Sequence, residues 1–138
     1  EFNARFGDPE TQVVLPRMKS DLVQVMLDIL DGKKPEIEWT DEAMVGVVVA
    51  SKGYPEKYEK GAVLEGLEKI NEYVFHAGTA KNEEGKFITN GGRVLLVGAK
   101  GNTIKEAQEK VYAELEKLEC DGVFYRKDIG YRAIQANK

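Results

Sequence analysis

Between residues 73 and 97, short apolar segments alternate with turn sequences, and this spacing constrains the fold more than any other feature. The intervals hold Glu84-Gly85 and Asn90-Gly91-Gly92, which favour tight turns and leave no room for a helix. Parallel strands need a crossover of about a dozen residues or more, so neighbouring strands here are expected to be antiparallel. The pattern predicts a hairpin that joins residues 87–89 to 93–97 through Asn90-Gly91-Gly92, with another turn at Glu84-Gly85.

Helices and one buried strand complete the predicted secondary structure. Residues 44–50 are almost all apolar, which is typical of a strand buried on both faces, and residues 73–79 form a second candidate strand. Thr103 and Glu106 have the spacing of a capping box and predict a helix over residues 103–118. The sequence therefore predicts an α+β fold, in which a mainly antiparallel sheet has flanking helices.

A second helix is predicted over residues 20–31, where apolar residues recur at helical spacing. Ser20 is its expected N-cap and Gly32 its stop. The following residues, 32–42, carry a proline and four acidic side chains and resemble a surface connection. We therefore predict a domain boundary here, with one segment at residues 1–40 and an α+β domain at residues 41–138.

Composition excludes several classes of protein. With 20 Lys and Arg against 24 Asp and Glu, the chain has a net charge of −4 and no basic excess, which disfavours a nucleic-acid partner. It has no apolar run of about 18 residues to span a membrane and no pattern of a signal peptide. The single cysteine, Cys120, cannot form an internal disulfide and fits a reducing, cytoplasmic location. A length of 138 residues suffices for one full-sized core.

Candidate functional side chains are densest at the start of the chain. Glu1 and Asn3 are two residues apart, so on a strand both would point to one face, where their oxygens suit Mg²⁺. Arg5 would share that face, and its guanidinium pairs well with phosphate or carboxylate oxygens. Asp8 could cap a helix that begins at Pro9, or hold an amine. The alternative interpretation is a strand edge with solvated charges and an ordinary helix cap.

Other candidates have competing interpretations. Asn90-Gly91-Gly92-Arg93 could turn its backbone amides and arginine toward a substrate phosphate, or form a hairpin turn that needs positive φ, and both can hold. His76, the only histidine, has no second base or ligand nearby in sequence and is better explained as a surface or core residue. For Arg126-Lys127-Asp128 we favour an ion pair that ties the tail to the sheet. Cys120 has only acidic neighbours and is not predicted to be a nucleophile.

Six blocks carry a resemblance to a known family: residues 1–12, 17–22, 53–55, 75–79, 89–95 and 126–130. In this order they resemble the phosphoribosylamine–glycine ligases (glycinamide ribonucleotide synthetases) of the ATP-grasp superfamily, and the resemblance covers essentially the whole chain. Another ATP-grasp member, such as a carboxylase or formyltransferase subunit, is an alternative against which the first and last blocks argue. A binding module that kept the fold without the chemistry is a further alternative.

The resemblance implies that the chain is the C-terminal portion of such a ligase: the last strand and helices of the ATP-grasp domain, then the C-terminal domain. The family joins glycine to 5-phosphoribosylamine, through glycyl phosphate, to give glycinamide ribonucleotide, ADP and phosphate in purine biosynthesis. By resemblance, Glu1 and Asn3 would bind the Mg²⁺ (or Mn²⁺) that holds the ATP phosphates, and Arg5 would contact the transferring phosphoryl group or the acyl phosphate. Asp8 would lie near the glycine or phosphoribosylamine end. The isolated chain is expected to be inactive, and its parent a stand-alone enzyme.

Overall fold

The computed structural model describes residues 4–136. Its fold is α+β with antiparallel sheets, as predicted. The described part contains the helices α1 (Thr11–Val14), α2 (Leu22–Leu30), α3 (Ile104–Leu115) and α4 (Tyr131–Ala136). Its strands are β1 (Ala43–Ser51), β2 (Tyr73–His76), β3 (Thr79–Lys81), β4 (Phe87–Thr89), β5 (Arg93–Gly101) and β6 (Val123–Phe124). No helix within this range has the length and apolar character needed to cross a bilayer.

The main sheet has four antiparallel strands in the order β2-β5-β1-β6. Its central pair is β1 with β5, where Val47 lies opposite Val97. The strands β3 and β4 form a separate hairpin, with Ala80 opposite Ile88. This hairpin turns at Glu84-Gly85, as predicted, and Gly85 has a φ of +79°, which favours glycine at that position.

The hairpin predicted through Asn90-Gly91-Gly92 is wrong. The strand β4 pairs with β3, and residues 90–92 carry the chain from this hairpin into the main sheet. The reason is the apolar character of β5, whose residues 94–99 are all buried. That burial places β5 in the middle of the sheet, where β1 and β2 occupy both of its edges. The φ angles of Gly91 and Gly92 lie outside the left-handed region, so the turn does not need positive φ.

One face of the main sheet carries the core. Alternate residues of β1, such as Val47, pack with Val111 and Leu115 of α3. The N-cap of the predicted capping box is confirmed at the start of this helix, but the carboxylate of Glu106 accepts from the N–H of Asn102 at 2.9 Å instead of that of Thr103. There the N–H of Glu106 donates to Oγ1 of Thr103 at 3.1 Å.

The opposite face of the sheet is approached by α1. A Cβ atom on Gly46 of β1 would lie 2.6 Å from Cγ1 of Val13 and 3.0 Å from Cδ2 of Leu96. Glycine at position 46 therefore lets α1 lie directly on β1. The short segment before α1 thereby reaches Arg93, the first residue of β5.

Two further predictions of local structure need correction. The N-cap of α2 is Asp21, whose carboxylate accepts from the N–H of Gln24 at 3.0 Å, whereas Ser20 accepts from the N–H of Glu38 at 2.7 Å. An aspartate carboxylate is an equally strong cap, so the neighbouring serine was free to hold the connection instead. The predicted strand over residues 73–79 is divided between β2 and β3, because the chain leaves β5 at Gly78 to join the hairpin.

Candidate functional site

An ion pair joins two of the segments that the sequence singled out. Nη2 of Arg93 lies 2.9 Å from Oδ2 of Asp8, and Nη1 of Arg93 donates to the carbonyl oxygen of Asp8 at 3.2 Å. The side chains are 42% and 55% exposed, respectively, and a pair this accessible to water contributes little stability. Its structural effect is to attach the segment before α1 to the first residue of β5.

Asp8 also has a contact with α1, although it does not cap that helix. The helix begins at Thr11, and its N-cap position, Glu10, makes no side-chain capping bond. Instead, Nε2 of Gln12 donates to Oδ1 of Asp8 at 2.9 Å. The predicted cap is therefore wrong, because the carboxylate of Asp8 is occupied by the side chains of Gln12 and Arg93.

Gln12 was not singled out by the sequence, and its second polar atom has an unusual environment. Oε1 of Gln12 is buried and accepts no hydrogen bond from any residue in the range 4–136. An unpaired buried acceptor costs about 1–3 kcal/mol. Gln12 shares a small recess with the following residues: Asp8, Pro9, Val48, Phe75, Ala77, Arg93, Leu95 and Leu96.

Buried Ser51 fixes the turn that precedes Arg93. Its Oγ donates to the carbonyl of Gly91 at 2.7 Å, and its N–H donates to the carbonyl of Gly92 at 2.8 Å. The N–H of Asn90 donates to the carbonyl of Gly78 at 2.7 Å. Both glycine carbonyls are therefore directed toward the end of β1, and the turn enters β5 in one defined conformation.

Close packing explains the glycines of this turn. A side chain at Gly92 would overlap the ring of Tyr54, and a Cβ on Gly78 would lie 2.7 Å from Cα of Gly91. Tyr54 also lies near Tyr58, with ring centroids 6.3 Å apart. The resemblance included Tyr54 in one of its blocks, but nothing local in the sequence places a tyrosine against a glycine 38 positions away.

Of the remaining site residues predicted at the start of the chain, the structure describes only Arg5. Glu1 and Asn3 lie outside the described residues, so the metal prediction that falls on them is neither supported nor contradicted. Arg5 is exposed and lies in a bend, not in the strand predicted for it. Among residues 4–136, no group of three His, Cys, Asp or Glu side chains is arranged to hold a metal ion.

The contacts of His76 and Cys120 are with structural residues of the fold. Nδ1 of His76 lies 2.9 Å from Oγ1 of Thr79, and its ring centroid lies 4.5 Å from that of Phe87. The imidazole is exposed at the end of β2 and does not line the recess of Asp8 and Arg93, although its chain neighbours Phe75 and Ala77 do. Cys120 is half-buried and packs against the core.

The charged cluster near the end of the chain forms an ion pair within itself. Nη2 and Nε of Arg126 lie 2.7 and 2.9 Å from the carboxylate oxygens of Asp128, and hydrogen bonding to Arg126 lowers the pKa of that carboxyl. The prediction that this pair ties the tail to the sheet is wrong. Tyr112 of α3 holds the tail instead, since its hydroxyl donates to the carbonyl of Arg126 at 2.7 Å and accepts from the N–H of Ile129 at 3.1 Å.

The antiparallel domain that contains β1–β6 and α3 is the C domain of one family of ligases. Residues 44–132 match the family described as phosphoribosylglycinamide synthetase, C domain, and the chain belongs to that family. It is 62% identical to the phosphoribosylamine–glycine ligase of Halalkalibacterium halodurans over 136 residues, which cover 97% of the chain and 32% of that enzyme. The enzyme of the same name from Lactococcus lactis is 54% identical over equal shares.

A solved structure agrees with this assignment. The crystal structure of phosphoribosylamine–glycine ligase from Thermotoga maritima superposes with a TM-score of 0.81 and 40% sequence identity. The match covers 93% of this chain and 32% of that one. The chain thus spans about a third of the length of these relatives, and the resemblance identified from the sequence is confirmed.

Proposed function

We propose that this chain is the C-terminal portion of an ATP-dependent ligase that joins glycine to 5-phosphoribosylamine in purine biosynthesis, in the cytoplasm. The observation that carries the proposal is the contact between Asp8 and Arg93, in a chain of this family. It joins the segment before α1, where the chemistry of ATP is expected, to the turn at the start of β5. A substrate that is held at the turn and reacts beside the segment before α1 would lie between these two segments.

Arg93 is the proposed ligand for the phosphate of 5-phosphoribosylamine, together with the backbone N–H groups of Gly91 and Gly92. The N–H of Asn90 does not share this role, because it is bonded to the carbonyl of Gly78. Two of the five N–H groups of Arg93 are used by Asp8, and the others remain for phosphate oxygens. Asp8 is proposed to lie at the edge of the same site. The fixed conformation of the turn supports this role, because a preformed donor group loses little entropy when the anion binds.

The residues proposed for phosphoryl transfer are taken from the sequence and its resemblance to the family. Glu1 and Asn3 provide hard oxygen donors for Mg²⁺ (or Mn²⁺), which would neutralise charge on the ATP phosphates. Arg5, which is exposed and follows Asn3 by two residues in sequence, would stabilise the charge of the phosphoryl group as it moves to the glycine carboxylate. The glycyl phosphate formed must be shielded from water, and the residues that shield it would come from the rest of the ligase.

An exposed apolar helix supports the proposed division at residues 1–40 and 41–138. Only Val25 of α2 is buried, whereas Val23, Leu27 and Leu30 are 65%, 50% and 81% exposed. A helix of this composition is normally covered on more than one side. The exposure is explained if residues 1–40 complete a larger ATP-binding domain, while residues 41–138 form the C-terminal domain.

Calorimetry with MgATP tests the proposal on the 138-residue chain itself. We expect a dissociation constant no lower than about 1 mM, or about −4 kcal/mol, because Mg²⁺ on one or two protein oxygens depends on phosphates for its other ligands. In the full-length ligase, ATP turnover should require both glycine and 5-phosphoribosylamine. Binding of MgATP by the isolated chain at low micromolar concentration would show a complete nucleotide site within it and overturn the proposal.

A further inference from the structure

We propose that Gln12 is a positioning residue of the phosphate site: it fixes the Asp8 carboxylate, and Asp8 in turn holds Arg93 beside the glycine turn. The inference rests on the proposed function, in which Arg93 binds the phosphate of 5-phosphoribosylamine. It also assigns Asp8 to positioning Arg93 instead of touching the substrate amine.

The contacts form a continuous path from α1 to β5. Nε2 of Gln12 donates to Oδ1 of Asp8 at 2.9 Å, and Oδ2 of Asp8 lies 2.9 Å from Nη2 of Arg93. Nη1 of Arg93 is held by the carbonyl of the same aspartate at 3.2 Å. Without Gln12, the carboxylate could rotate about its side-chain bonds and leave the guanidinium attached at one point only. Gln12 removes that freedom, because it engages the second oxygen.

The buried oxygen of Gln12 distinguishes positioning from stabilisation. Oε1 of Gln12 is buried without a donor among the described residues, while Nε2 of the same amide orients Asp8. Methionine has a similar length and no acceptor to leave unpaired, so it suits the recess better. A buried polar atom without a hydrogen-bond partner is expected more often at functional positions than elsewhere in a protein.

The chain offers a matched control for this residue. Nε2 of Gln24 donates to Oδ1 of Asp28 at 2.9 Å, across the same spacing of four residues, on the exposed side of α2. Asp28 has no contact with Arg93. Gln24→Met therefore removes the same type of hydrogen bond without disturbing the path to β5.

The experiment compares the two variants in the full-length ligase that contains this chain. The dissociation constant of glycinamide ribonucleotide, the stable product that carries the same phosphate, is measured by calorimetry beside the steady-state constants. For Gln12→Met we expect binding about fivefold weaker and an equal rise in KM for 5-phosphoribosylamine, with kcat within about twofold. The midpoint of thermal unfolding should be unchanged or higher. Gln24→Met should match the wild type in the dissociation constant of glycinamide ribonucleotide and in both steady-state constants.

Two outcomes overturn the inference. One is unchanged binding of glycinamide ribonucleotide in Gln12→Met, and the other is a lower unfolding midpoint with a fall in kcat, as expected of a merely structural residue. The variant Arg93→Met distinguishes a wrong positioning role for Gln12 from a wrong assignment of Arg93 as the phosphate ligand. If Arg93→Met binds the product as the wild type does, the proposed phosphate ligand is wrong. If it binds at least about tenfold more weakly while Gln12→Met does not, only the positioning role is wrong.

Discussion

The ring of Tyr54 occupies the space that a side chain at position 92 would need. The requirement for glycine at this position comes from the close approach of a ring and not from the backbone, since the φ angle of Gly92 is one that other residues adopt. The turn before Arg93 is therefore supported at Gly92 by the ring of Tyr54 and at Gly91 by the hydroxyl of Ser51. Both supports can be tested separately.

Gly92→Ala should destabilise the chain by about 1–3 kcal/mol, because the added methyl group must displace the ring of Tyr54. If the overlap is the cause, the substitution should cost much less in a Tyr54→Ala background. A double-mutant cycle by urea unfolding measures this coupling. Strictly additive effects of the two substitutions would show that the ring does not set the requirement.

Ser51→Ala should lower the free energy of unfolding by about 1–2 kcal/mol, since it removes the buried hydroxyl that donates to the half-buried carbonyl of Gly91. Ser20→Ala is the matched control, because the hydroxyl of Ser20 makes its bond to the N–H of Glu38 at an exposed site. Chemical denaturation of both variants provides the comparison. Equal losses of unfolding free energy in the two variants would mean that burial does not strengthen the hydrogen bond of Ser51.

Glu114→Gln should reduce the pH dependence of stability. Burial raises the pKa of Glu114, but its contacts with Lys117 at 2.6 Å and the N–H of Asn71 at 2.8 Å outweigh this and place the pKa below 4.5. A carboxyl whose pKa is lowered on folding contributes stability above its ordinary pKa, and that contribution is lost as pH falls through the folded value. We expect Glu114→Gln to be about 1 kcal/mol less stable at neutral pH.

This difference should close in acid, as the wild-type carboxyl takes up its proton. Glu109→Gln is the control, since Oε1 of Glu109 is exposed and 3.7 Å from Lys105. Thermal unfolding followed between neutral pH and strong acid gives both curves. A constant difference across that interval would contradict the assigned role of the charge on Glu114.

Arg5→Lys should lower kcat/KM of the full-length ligase at least about tenfold, or about 1.4 kcal/mol, because lysine retains the charge without the planar pair of donors. Arg5 is exposed in a bend, so stability should change by less than about 0.5 kcal/mol. Steady-state kinetics and thermal unfolding of the same preparation separate the two effects. Wild-type kinetics would make Arg5 an ordinary surface charge.

The features that the sequence predicted correctly depend on residues close together in the chain. The capping bond between Thr103 and Glu106 spans one helical turn, and the turn at Glu84-Gly85 joins strands on either side of it. Asn90-Gly91-Gly92 has an equally strong turn signal, but its outcome depends on which strands occupy the edges of β5. One of those strands, β1, ends more than 40 residues before β5 begins, and the other, β2, is separated from β5 by the β3–β4 hairpin, so a local pattern could not identify them.

The site was predictable in its residue types but not in its connections. Asp8 and Arg93 were both singled out, yet nothing in the sequence indicated that they contact each other across 85 positions. Gln12 was missed because a glutamine near a helix start is common, and only its buried oxygen makes it unusual. Pairings between polar side chains depend on how α1 lies on the sheet, which is a result of packing at Gly46.

The pairing of β1 with β5 has a consequence for synthesis on the ribosome. Ala43 lies opposite Gly101, so the centre of the sheet cannot be completed until residue 101 has left the exit tunnel. Until then the apolar residues of β1 have no strand beside them and no helix α3 to cover them. Folding that waits for distant segments is slow compared with local folding, and the waiting strand is open to association with other chains. Chaperone contact during translation is therefore expected to concentrate on residues 43–51.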